Sequence, residues 1–142
     1  MLGNKKTNAF IEAVHTATGS SREVANIAIA YVVVRGMLQR SDELSATDVK
    51  LRIKRVVNDI CELVIVDRVA LEAAVNNMYQ FYTQQHGELR RGDIFSVTSF
   101  EDVIKLNVYF SSATIQLVSD HITIFKTISA ALFDIKDTFI EE

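Results

Sequence analysis

The sequence predicts an α+β domain. Residues 1–88 read as a helical part of about four helices, and residues 94–142 as a small antiparallel β meander followed by a C-terminal helix; the alternative is an all-α bundle. Three observations lead there. The first part carries apolar residues at helical spacing behind recognisable caps. After Gly92 the composition turns to Val, Ile, Phe, Tyr and Thr. The chain, at 142 residues, is long enough for one sizeable core.

Taken in order, residues 7–17 place Phe10, Ile11 and Val14 on one helical face, and Gly19 is positioned to stop that helix. Ser20-Ser21-Arg22-Glu23 fits a capping box, with Glu23 three residues after Ser20. The helix behind it, 21–39, carries Val24, Ile27, Ile29, Tyr31, Val34 and Leu38. Its centre, AIAYVVV, is apolar nearly all round, which suits a core helix or a buried strand; the cap and the length favour helix. After the polar QRSDELSA, Ser45-Ala46-Thr47-Asp48 opens a third helix running to about residue 62. Its stripe is Val49, Ile53, Val56, Val57 and Ile60. A fourth helix is expected over 68–85, ended by Gly87, with Val69, Leu71, Val75, Met78, Phe81 and Tyr82 on one face.

Between Ile94 and Thr127 four short runs, DIFSVTSF, VIKLNVYF, TIQLVS and HITIFKT, have strand composition, and the C-terminal helix is expected from about residue 128. The competing pattern in this region is helical: Ile115, Val118, Ile122, Phe125, Ile128, Leu132, Ile135 and Phe139 keep three- and four-residue spacings.

The net charge is −3 and the pI about 5.6, so attraction of the whole molecule to nucleic acid or an anionic membrane is not indicated. Charge is uneven along the chain, however: ten basic and eight acidic residues through Arg68, then five basic and ten acidic from Val69 onward. Cys61 is the only cysteine, which excludes an internal disulfide or a cysteine cluster. No signal-peptide pattern follows Lys5 and Lys6, and IAIAYVVV is too short to span a bilayer. A cytoplasmic protein is expected, or a virion component if the origin is phage or viral.

The opening NKKTNAFIEAVHTATGSSREVA resembles the start of the HU and integration-host-factor family of DNA-bending proteins through Asn4, Lys5, Ile11, Glu12, Ala13, Val14, Thr18, Gly19, Ser21, Arg22 and Ala25. LRRGDIFSVTSF (89–100) is similar to the segment where that family passes from helix into its first strands. The resemblance implies a helix pair, then strands, and binding to DNA. The family's glycine-phenylalanine strand motif and its basic, proline-tipped arm have no counterpart here; the chain contains no proline.

The densest basic run, VKLRIKRVV, carries Lys50, Arg52, Lys54 and Arg55. With Lys5, Lys6 and Arg22 it makes the candidate set for phosphate contacts. Acidic neighbours Asp42, Glu43, Asp48, Asp59, Glu62 and Asp67 bring its surroundings close to neutral, so a solvated helix face is the preferred reading. Arg91-Gly92-Asp93 reads as a turn rather than an adhesion motif. His15, His86 and His121 are far apart and lack metal-ligand spacing, and no nucleophile elbow or phosphate loop is present. No catalytic residue, cofactor or metal is therefore expected. Cys61, beside the third helix's stripe, reads as a small buried hydrophobe, and Asp134 and Asp137 as part of a solvated acidic end.

What remains is a surplus of apolar positions. The expected function is thus a non-enzymatic, self-associating structural or regulatory protein, for which a phage or viral assembly component is one fit. Ile29, Val33, Tyr82, Phe125, Ile128, Leu132 and Phe139 are the expected self-association residues of a homo-oligomer. The alternative is an HU-like DNA-binding protein that uses the basic helical face.

Overall fold

A computed structural model of the chain describes residues 5–40, 45–85 and 111–139. These form six helices: α1 (Lys5–Ala17), α2 (Arg22–Arg40), α3 (Ala46–Leu63), α4 (Arg68–Gln85), α5 (Ser112–Asp120) and α6 (Ile122–Phe139). There is no strand among the described residues, so the α+β expectation is corrected to an all-α fold.

The correction falls on residues 114–127. TIQLVS lies in α5, and HITIFKT runs from the α5–α6 junction into α6, which begins six residues before the expected start at 128. The first two expected strands, through Phe110, lie outside the described residues. β-branched residues disfavour helix by a few tenths of a kcal/mol each, a cost of about the size that packing overrides. Here packing wins: Val118, Phe125, Ile128, Leu132 and Ile135 are all buried, and only a helical period turns them to one side. A local bond assists: Ser111 Oγ caps α5 by accepting from the Thr114 N–H at 3.2 Å. The period breaks only at His121, whose N–H bonds the Val118 carbonyl at 3.1 Å and whose Nδ1 sits 3.0 Å from the Leu117 carbonyl.

The earlier helices lie close to where the spacing puts them. Ser45 caps α3 by accepting from the Asp48 N–H at 3.1 Å, and the stripe Val49, Ile53, Val56, Val57 and Ile60 is buried as a set. In α4, Leu71, Val75 and Met78 are buried, whereas Val69 is 78% exposed. The cap of α2 shifts by one residue. Ser21, not Ser20, accepts from the Val24 N–H at 3.2 Å, which leaves Glu23 out of register for a capping box. The α1–α2 turn needs no left-handed residue, since no described glycine has positive φ.

α2 is the centre of the fold. Its principal neighbours are α6 on one side and α4 on another; α1 packs chiefly on α6, and α3 chiefly on α4. Residues 28–34 of α2 are buried without interruption, the pattern of a helix enclosed by others. Tyr31 meets Phe125 of α6 with ring centroids 5.7 Å apart, and the Arg35 guanidinium lies 4.5 Å from the centre of the Phe133 ring.

Candidate functional site

The expected self-association residues mostly belong to this core. Ile29, Val33, Phe125, Ile128 and Leu132 are each 1% exposed or less within a single chain. All five belong to the one core cluster of the chain, so they hold it together rather than face a second molecule. The side chains of Tyr82 and Phe139 lie outside the described set.

The candidate phosphate contacts are spread over three helices, α1, α2 and α3. Lys5 and Lys6 are exposed in the first turn of α1, Arg22 at the start of α2, and Lys50 and Lys54 along α3; Arg52 and Arg55 are half-buried. At a rise of 1.5 Å per residue, Lys5 and His15 stand about 15 Å apart along α1, and Lys50 and Leu63 about 20 Å apart along α3. Of the seven, only Arg22 lines a marked concavity of the described surface.

That concavity is an open groove of about 590 Å³ at the meeting of α1, α2 and the α3–α4 connector. The C-terminal half of α1 supplies Ile11, Val14 and His15; the first turns of α2 supply Arg22 and Asn26; the connector supplies the run Leu63–Asp67. The local sequence explains its shape. α1 ends at Ala17, and Thr18, Gly19 and Ser20 turn the chain, with the Thr18 Oγ1 donating to the His15 carbonyl at 2.7 Å. On the connector's side α3 ends at Leu63, and the extended backbone of its C-cap Val64 (φ −130°, ψ 152°) carries the chain out of the helix. Asp67 then starts α4, its Oδ1 accepting from the Ala70 N–H at 3.1 Å.

The connector is unusual in its composition. Helix–helix connections are normally polar, but this one reads Val64-Ile65-Val66, and Ile65 is 91% exposed. Sequence reading passed over it because the run looks like the flank of a helical stripe. The available signal was three apolar β-branched residues sitting between a helix end and an aspartate cap.

Catalytic chemistry finds no cluster here. Cys61 is half-buried on α3; burial pushes its thiol above the ordinary range, Arg68 opposes that shift, and Asp67 adds to it. His15 lies in the groove and His121 at the α5–α6 junction, while His86 and Arg91-Gly92-Asp93 lie outside the described residues. Among the described residues no three His, Cys, Asp or Glu side chains are placed to hold a metal ion. Nor is any described helix long and apolar enough to cross a membrane. Compared with known proteins, the chain matches no family model, no curated protein and no solved structure.

Proposed function

We propose that this chain is a non-enzymatic protein that acts through protein–protein contacts, self-association first among them, made over the junction of α3 and α4. The observation that carries the reading is the exposure of Ile65 and Val69, 91% and 78%, within five residues of one another. Burying a Val or Ile side chain is worth about 1.5–3 kcal/mol. A second copy that covers both recovers that gain twice, once from each chain in a symmetric pair.

The test is the solution mass at micromolar concentration, by native mass spectrometry and sedimentation. The parent is expected to be a defined oligomer, Ile65→Asp/Val69→Asp a folded monomer, and Lys50→Glu/Lys54→Glu an oligomer still. A monomeric parent overturns self-association. Nucleic acid retained at low salt and lost steeply as salt rises would instead replace this reading with phosphate binding through exposed lysines.

A further inference from the structure

We infer that the groove between α1, α2 and the α3–α4 connector is a binding site for a small apolar carboxylate, a medium-chain acyl anion being the simplest case. Its volume of about 590 Å³ lies within the roughly 300–1,000 Å³ of small-molecule sites. Its lining divides by chemistry. Ile11, Val14 and Val64 are apolar and half-buried or buried, whereas Arg22, Asn26 and His15 add polar side chains to the lining.

Those three side chains make no hydrogen bond or ion pair among the described residues. Arg22 and Asn26 are one turn apart on α2, so they project from the same side of that helix. The guanidinium offers a planar pair of donors matched to a carboxylate, and the Asn26 amide adds a third. The one acid in the lining, Asp67, is committed elsewhere: its Oδ1 caps α4, where the helix's own N-terminal dipole offsets its charge. Arg22 and Asn26, one turn apart on α2, therefore complement an anion, and Ile11, Val14 and Val64 complement a hydrocarbon chain. A ligand with both parts fits better than inorganic phosphate, which would leave the apolar residues uncovered, or an alkane, which would leave Arg22 unpaired.

This site shares Ile65 with the proposed self-association surface, but its test reads ligand binding and not oligomer mass, so either reading can fail alone. Decanoate is titrated into the intact chain and followed by calorimetry and by amide chemical shifts, alongside decanol as the uncharged probe. Saturable one-to-one decanoate binding is expected, with shifts in residues 11–26 and 63–67. Binding should weaken at least tenfold for decanol and for Arg22→Gln, and less for Arg22→Lys. Arg22 is exposed, so the variants should keep the parent's circular dichroism. No saturable binding of decanoate up to its solubility limit overturns the proposal. So does decanol binding as tightly as decanoate, or Arg22→Gln binding decanoate like the parent.

Discussion

α2 and α3 are of nearly equal length, 19 and 18 residues, yet they are opposite kinds of helix. α2 buries seven consecutive residues, 28–34, which covers every direction around its axis. α3 buries one stripe and turns Lys50, Leu51 and Lys54 to solvent. The difference lies in their neighbours: α2 is flanked by α6 and α4, while α3 leans mainly on α4. A helix's tolerance to change should follow that count of covered sides and not its hydrophobicity alone.

The sharpest way to break the comparison is to put a charge on the α2–α6 contact. Phe125→Asp or Ile128→Asp should unfold the chain outright, seen as lost helical circular dichroism, because each side chain is fully buried. A folded but dissociated variant would show that these residues face a partner after all. Next in size, Ile29→Ala should cost about 2–5 kcal/mol in urea denaturation, whereas Lys54→Ala should stay within about 0.5 kcal/mol. Equal losses would erase the distinction between the two helices.

Smaller changes probe how each helix starts. Ser45→Ala removes the α3 cap and should cost about 1 kcal/mol. Gly19→Ala, just ahead of α2, should stabilise by about 0.4–1 kcal/mol, because its φ is not positive and a Cβ there would meet only the Thr16 carbonyl at 3.9 Å. A loss of stability there would mean that the turn uses glycine's freedom.

The last prediction concerns the flank of α3. The folded Cys61 thiol titrates above the unfolded one. Its contribution to stability is therefore fully present below the unfolded thiol's pKa and is lost as pH rises from there through the folded value. Urea midpoints measured from pH 7 to pH 10 should fall more for the parent than for Cys61→Ala. At pH 8, iodoacetamide should label the native thiol more slowly than the denatured one.

Where period and propensity agreed, the sequence was readable. The Ser45 cap, the stripe from Val49 to Ile60 and the limits of α4 were all visible because polar and apolar residues alternate with one helical period. Where they disagreed, over 114–127, propensity misled: Val118, Phe125 and Ile128 had to be read by spacing, and the Thr and Ile residues between them pulled toward strand. The centre of α2 was legible as buried, but not what buries it. Ile29 and Phe125 therefore looked like spare surface although they complete one core across the chain. The groove was hidden for a different reason. It joins the α1–α2 stretch, residues 11–26, to a connector distant in sequence, residues 63–67, and nothing in Arg22 or Ile65 alone announces that they line one cavity.

The arrangement of helices also sets an order of assembly. α1 and α2 precede the other described helices, yet the partner they share most fully is α6, residues 122–139. A chain emerging from the ribosome can close α3 on α4 as a local hairpin, but it must hold the sides of α1 and α2 that α6 covers open until α6 appears. The slow step of folding should be the closing of that long loop, and Tyr31, which finds Phe125 only then, is a surface a chaperone would find waiting.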